Sequence, residues 1–365
     1  MGTGAALIRG VNMAAIPVPA ANLYHPNADD ALGTPYLTGI DTEGTTLTTG
    51  VYGFDTLTLA EALKLNAGLR FERYRTGTTS GTLVTATNLA QFPGYALGGV
   101  VPVNLKDADN LLSWNLGLVY KPVPTGTFYA AVANALTPPG GANIALSATS
   151  TNQAFAGMEP QRTSNLELGT KWELLDRRLN VSAAAYRSEN DKQVSQDPVD
   201  GTYRQFGRTR VEGLEAAAVG QITSFWQLSA GVAKMRTRQL DQISRSTTGT
   251  VTETEGVRWS PDLTATLWTS WSRDGFTVGG GLRYTGEQKR VVTKGTDLST
   301  QVMPQVPSST VVDLMAAWRL SPAASLQLNV GNVFDREYIG SLNNSGLRIR
   351  MGAPRNAALT ARFQF

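Results

Sequence analysis

Cysteine is absent from this chain, and histidine occurs once, as His25. The first absence removes disulfide frameworks, thiolate zinc sites, iron–sulfur clusters and cysteine nucleophiles together. The second removes most histidine-based metal sites and leaves no basis for a Ser-His-Asp hydrolase. His25 stands in Tyr24–Pro26, among Pro and Asn, with no partner at metal-binding spacing, so it reads as a loop residue. Charge of either sign is also scarce: 32 basic against 29 acidic residues leave +3, and the bases are scattered. Nucleic-acid binding is therefore not expected.

No run of about 18 apolar residues occurs, which excludes a helical membrane span. It leaves open a transmembrane β-barrel, whose strands alternate lipid-facing apolar and lumen-facing polar residues and average near neutral hydropathy. Met1–Gly10 has no basic region followed by a long apolar stretch, so it reads neither as a signal peptide nor as a typical mature start. The chain is expected to be part of a longer one.

What is present is period 2. In Lys64–Tyr74 the set Leu65, Ala67, Leu69 and Phe71 interleaves with Lys64, Asn66, Gly68, Arg70 and Glu72. Asn165–Leu174 repeats it, with Leu166, Leu168, Trp172 and Leu174 against Asn165, Glu167, Gly169, Lys171 and Glu173. A soluble β-sandwich would show the same alternation, so periodicity alone leaves both readings open. The last residues sharpen the choice, because Leu359, Ala361, Phe363 and Phe365 alternate with Thr360, Arg362 and Gln364 to the final position. A strand running to the terminus needs a partner on each edge, which closing a barrel provides.

About thirteen strands are read, near residues 48–59, 62–75, 111–122, 126–134, 163–174, 178–189, 205–220, 225–238, 257–272, 276–286, 309–320, 324–334 and 355–365. Short connections alternate with long ones near 76–110, 135–162, 190–204, 239–256, 287–308 and 335–354. That alternation belongs to short periplasmic turns and long extracellular loops. Tyr120, Phe128, Trp172, Phe225, Trp226, Trp271, Phe276, Tyr284 and Trp318 gather near strand ends, as an interfacial girdle would; core aromatics of a soluble β protein are the other reading. Counting back from a periplasmic Phe365, an odd strand number places residues 1–47 outside the cell. Their Pro, Gly, Asn and Asp content agrees with an extracellular loop segment. The fold class is thus an all-β antiparallel meander of tilted transmembrane strands over 48–365, part of a larger barrel.

Specific stretches resemble the C-terminal part of a TonB-dependent outer-membrane receptor of the siderophore-uptake kind. They are Gly331–Tyr338 (GNVFDREY), Gly352–Arg355 (GAPR) and the strand ending in Phe365. Gly50–Thr58 (GVYGFDTLT) and Leu69–Tyr74 (LRFERY) are similar to two strands of that family. Glu159 with Arg162–Glu167 and Gly169–Lys171 resembles its E…N.E.G.K strand, and Phe206–Glu215 (FGRTRVEGLE) its G.TR..G.E strand. Asn332 and Asp335 are suited to cap a strand end. Gly213 is expected to mark a bulge or a close backbone approach, because Arg208, Arg210 and Glu212 share one parity while Gly213 and Glu215 share the other. With one extra residue Glu215 would return to the lumen, and the Arg/Glu set would form a structural ladder of lumen charges. Gly279–Gly281 lies inside an alternating strand with no helix after it, so it gives room in the lumen wall or at a bend and does not cradle phosphate.

The resemblance implies a roughly 22-stranded barrel, of which this chain is the C-terminal part with no plug domain. It further implies uptake of a ferric siderophore, catecholate-like, energised by the TonB complex through a plug region not present here. Neither a resident cofactor nor catalysis is implied. Outer-membrane lipids and the barrel-assembly machinery are the other expected partners, with Phe363 and Phe365 as the assembly signal. Ferric siderophores are bulky anions, which demand cationic and aromatic groups at the outer mouth. Strand direction puts Arg236, Arg238, Arg283, Lys289, Arg290, Arg348 and Arg350 there; such bases also bind lipopolysaccharide phosphates or keep loops soluble. A general diffusion porin, of roughly 16–18 strands, and a receptor for a non-iron ligand such as a cobalamin or an oligosaccharide are the alternatives.

Overall fold

The computed structural model describes residues 39–141, 144–290, 305–343 and 348–364, together with Asp29 and Gly346. His25, Phe365 and most of the 1–47 segment lie outside the described residues. Thirteen strands form one sheet: β1 (Glu43–Ala60), β2 (Leu63–Leu83), β3 (Val100–Val123), β4 (Gly126–Thr137), β5 (Gln161–Leu174), β6 (Leu179–Gln196) and β7 (Tyr203–Gln221). They continue as β8 (Trp226–Leu240), β9 (Leu263–Arg273), β10 (Phe276–Thr285), β11 (Ser309–Ser321), β12 (Ala324–Gly331) and β13 (Asn356–Phe363). Neighbours in sequence are neighbours in the sheet throughout. The meander follows from short connections of two to four residues at one end of each strand pair, among them Pro124–Thr125, Asp274–Gly275 and Pro322–Ala323, whose residue types favour tight reversal. Asp274 and Gly275 take φ of 50° and 81°, and Leu175, Asp176 and Arg177 take 51°, 55° and 66°.

Several strands are longer than expected. β1 begins at Glu43, inside the segment read as a loop, and β2 and β3 take up 76–83 and 100–110. The stretch Thr76–Thr82 holds only Thr, Ser and Gly on both parities, so it lacks the apolar marker by which a strand is recognised. β9 starts at Leu263, not near 257, because Trp259 turns with φ 58° and Pro261 has no N–H to give a ladder. Short hairpins, Gln242–Arg245 with Val251–Thr254 and Ile339–Leu342 with Ile349–Met351, occupy two of the long connections.

Contacts divide the chain into two units, one of residues 1–51, 71–111 and 137–160 and one of 52–70, 112–136 and 161–365. In the first, Tyr74, Leu83, Val84, Leu111 and Leu146 are buried together with Thr76 and Thr78. The connection after β4 is tied onto that face: the Leu146 N–H donates to Thr78 Oγ1 at 2.8 Å, and the Gly157 N–H donates to Asp107 Oδ1 at 3.1 Å. Asp107 Oδ2 accepts from Tyr74 Oη at 2.5 Å.

In the second unit the two faces of the sheet separate by chemistry. Cross-strand registers align Leu168, Ala185, Leu214 and Lys234 in one row and Trp271, Val278, Ala316 and Leu328 in another. Leu214 is 63% exposed, Trp318 54%, Leu359 72% and Phe363 64%. A soluble core would not leave a contiguous face of this size in water. Near the short turns this face carries Phe128 edge-on to Trp172, with centroids 5.7 Å apart, and Phe225 edge-on to Trp271 at 6.0 Å. The girdle reading of these aromatics therefore holds over the core reading.

Candidate functional site

The polar face is built around glycine notches. On β5, Glu167, Gly169 and Lys171 share one parity, and the Tyr129 ring of β4 lies across them. Tyr129 Oη donates to Glu167 Oε1 at 2.5 Å, and Lys171 Nζ stands 5.3 Å from the ring centroid. A Cβ on Gly169 would come within 2.4 Å of Tyr129 Oη, so glycine is what lets the ring lie flat on the wall. The E.G.K pattern thus has a mechanical meaning: an acceptor, a notch and a cation for one tyrosine. Gly213 serves Tyr186 in the same way, its Cβ position being 2.8 Å from Tyr186 Oη, and Gly281 serves Trp268 at 2.5 Å. Glycine as room in the wall is what the Gly279–Gly281 triplet provides.

Gly213 therefore marks a close approach, and the expected bulge is absent. Registers run unbroken from Leu179↔Gly220 to Asn190↔Thr209 on one side and from Arg208↔Leu240 to Gln221↔Gln227 on the other. Arg208, Arg210 and Glu212 consequently share the face of Leu214, the apolar one, and the ladder of charges is not in the lumen. It is a ladder nonetheless. Arg210 pairs with Glu189 at 2.6 Å, Arg238 and Arg187 pair with Glu212 at 2.6 and 3.1 Å, and Arg208 pairs with Asp241 at 2.7 Å.

A second built feature closes the last long connection. Asn332 is 3% exposed and has φ 48°, a conformation Asn tolerates. Its Nδ2 donates to the carbonyls of Arg336 and Ala353, both at 2.9 Å, while its Oδ1 accepts from the Arg336 N–H at 2.8 Å. Asp335 Oδ1 accepts from the Arg355 N–H at 2.7 Å. Gly352 leaves room for the Tyr338 ring, since a Cβ there would lie 2.0 Å from Tyr338 Cζ. GNVFDREY and GAPR are thus the two halves of one clasp. Asp313 Oδ1 accepts from the Asn332 N–H at 2.9 Å and Asp313 Oδ2 from Arg283 Nη2 at 3.2 Å, which fixes the clasp to the polar wall.

All seven cations marked from sequence stand toward the long connections, but they do not converge. Arg236 and Arg238 lie on the apolar parity of β8, Arg236 opposite Glu212 in register. Arg283 is on the polar face, held by Asp313. Lys289 pairs with Glu287 at 3.7 Å in a cleft of about 320 Å³ that Asp262 also lines, a poor place for an anion. Arg290 is engaged by other groups. Arg348 and Arg350 stand on the hairpin that rises from the clasp, and neither has an ion-pair partner among the described residues. Sequence reasoning missed Tyr129 and Tyr186; the glycines at two-residue spacing from glutamate were the available signal.

Residues 14–333 match the family described as TonB dependent receptor-like, beta-barrel. The chain belongs to the TonB-dependent receptors. The catecholate siderophore receptor Fiu of Escherichia coli K12 is 33% identical over 363 residues, 98% of this chain and 46% of that protein. The probable TonB-dependent siderophore receptor PiuA of Acinetobacter baumannii is 26% identical over 306 residues, 82% of this chain and 38% of that one. In structure, the closed form of the ferric-catecholate import receptor Fiu from E. coli K12 gives a TM-score of 0.82 at 32% identity, covering 96% of this chain and 49% of that chain. PiuA gives 0.69 at 25% identity, covering 89% and 44%. The chain spans about half the length of these relatives. TonB-dependent receptor barrels reside in the Gram-negative outer membrane, so the apolar face of this sheet is the lipid face and the polar face, with its tyrosine stacks, is the luminal one.

Proposed function

We propose that this chain forms barrel wall and outer mouth of a receptor that takes up a ferric siderophore of the catecholate class, with uptake energised by the TonB complex. The supporting observation is the likeness to the receptor Fiu along 98% of this chain, together with Arg348 and Arg350 free of carboxylate partners among the described residues at the mouth. Catecholate complexes are aromatic polyanions, and guanidinium groups meet both properties, by charge and by stacking. Residues 1–47 serve as an extracellular segment in this reading, and Phe363, exposed on the lipid face, belongs to the strand that the barrel-assembly machinery reads. The receptor carrying this sequence is expected to restore growth on a ferric catecholate to a strain lacking catecholate receptors. Growth restored equally by an Arg348→Gln/Arg350→Gln variant would remove the assignment of these two residues, and no restoration by the parent would remove the substrate class.

A further inference from the structure

We infer that Trp259 is the positioning residue of the cationic hairpin at the mouth: its indole, seated on Gly346, holds Arg348 and Arg350 where an anionic ligand meets them. The inference rests on the reading of these two arginines as ligand-binding groups. Trp259 has φ 58°, a backbone region that a bulky residue enters only where its surroundings over-determine it. Two contacts do so here. The Trp259 N–H donates to the Lys289 carbonyl at 3.0 Å, and Lys289 belongs to the short ladder of Gln288–Lys289 with Gln305–Val306 at the base of the connection after β10. On the other side a Cβ on Gly346 would lie 2.7 Å from Trp259 Cζ2, so glycine is what lets the ring seat on that turn. Gly346 is buried although Asn343 and Arg348 on either side of it are exposed. One residue therefore joins three of the long connections, those after β8, β10 and β12.

The hairpin needs such a support. Its ladder pairs Ile339–Leu342 with Ile349–Met351 and is irregular between Ile339 and Ser341, and a two-stranded hairpin of this length is marginal on its own. The turn above it is closed by its own bonds. The Asn343 N–H donates to the Arg348 carbonyl at 3.1 Å, the Gly346 N–H to the Asn343 carbonyl at 2.9 Å, and the Arg348 N–H to Asn343 Oδ1 at 3.0 Å. Those bonds fix the shape of the turn and leave its direction to whatever touches it from the side. The indole does so at Gly346, two residues before Arg348 and four before Arg350. With the ring in place the arginines are held before the ligand arrives, so binding does not have to order the hairpin. Without it the same charges remain at the mouth but the ordering cost falls on binding, which weakens affinity and leaves the later steps of transport alone.

The test uses the receptor containing this sequence in a strain lacking catecholate receptors, with the radiolabelled ferric complex of dihydroxybenzoate as probe. Trp259→Ala is expected to raise the half-saturating concentration about tenfold with the maximal rate unchanged, and Trp259→Phe, which keeps a ring over Gly346, to stay near the parent. In an Arg348→Gln/Arg350→Gln background Trp259→Ala is expected to add nothing, because it acts through those two groups. A second readout needs no ligand: a nitroxide on Ile349→Cys, in a receptor free of other cysteines, is expected to be more mobile in Trp259→Ala than in the parent. Heat-modifiable migration checks assembly; should Trp259→Ala not assemble, Trp259→Leu takes its place. An unchanged half-saturating concentration overturns the proposal, as does a lowered maximal rate with unchanged affinity, which would make Trp259 a folding residue only. So does an equal loss in the background lacking both arginines, or a nitroxide spectrum that Trp259→Ala leaves as it was. A parent receptor that does not transport the probe counts against the transport assignment instead, and the nitroxide spectra then decide the positioning by themselves.

Discussion

Single side chains set the wall's tolerance. Gly169→Ala places a methyl group against the Tyr129 ring, and overpacking of that kind costs about 1–3 kcal/mol. In a Tyr129→Ala background the same change is expected to cost much less, and a double-mutant cycle on thermal unfolding midpoints in detergent measures the difference. Asn332→Ala removes three hydrogen bonds from a buried site and is expected to lower stability by about 2–3 kcal/mol, whereas Asn332→Asp keeps the acceptor and loses both donations, giving an intermediate value in the same assay. In the connection between β6 and β7, the Thr202 hydroxyl and N–H donate to Asp200 Oδ1 at 2.6 and 2.8 Å, and these bonds, with Arg204 at 2.9 Å, hold the Asp200 carboxyl below its ordinary range. The support this turn draws from its ionised Asp200 is present at neutral pH and is lost as pH falls through the lowered pKa. Thr202→Val is expected to move the Asp200 carboxyl titration upward, read by selective carbon labelling; an unmoved midpoint would show that Thr202 is not the cause.

Among elements, the contrast between β8 and the hairpin 339–351 is the sharpest. Arg236→Gln/Arg238→Gln changes the lipid face, and its siderophore uptake is expected to match the parent, while Arg348→Gln/Arg350→Gln is expected to raise the half-saturating siderophore concentration about tenfold; radiolabelled-iron uptake over a concentration series distinguishes them. Sequence reading placed both pairs at the mouth by strand direction and could go no further, for a physical reason. Alternation tells inside from outside only while one parity is apolar, as in Leu214, Ala216 and Ala218. Above the hydrocarbon, where Arg208, Thr209, Arg210 and Val211 follow one another, both faces are wet and the marker is gone. The same loss hid 76–82 as strand; in 100–110 Val101, Val103 and Leu105 do alternate with Asn104 and Lys106, and Pro102 interrupts the pattern. The strand count, the short-long alternation and the aromatic girdle were legible because each rests on the lipid boundary or on turn chemistry. The tyrosine stacks were not, since Tyr129 meets Glu167 across 38 residues, and no local pattern encodes a partner at that separation.

For the molecule as a whole, parity of strand number matters. Thirteen antiparallel strands among the described residues leave β1 and β13 pointing the same way, at opposite ends of the order, and an unpaired edge in hydrocarbon costs several kcal/mol per backbone group. Refolded alone, these 365 residues are expected to give no heat-modifiable monomer on gel electrophoresis; a sharp, heat-sensitive monomer band would show that the edges find each other. The unbroken registers of β5 with β6 and of β7 with β8 have a last consequence, for how such a wall can change length. Each position is in frame with its neighbours only modulo two, so one inserted residue between Lys171 and the short turn would exchange hydrocarbon for water along the rest of the strand. Length variation within these strands should therefore come in steps of two, like a code read in doublets, while the long connections are free to vary by any number.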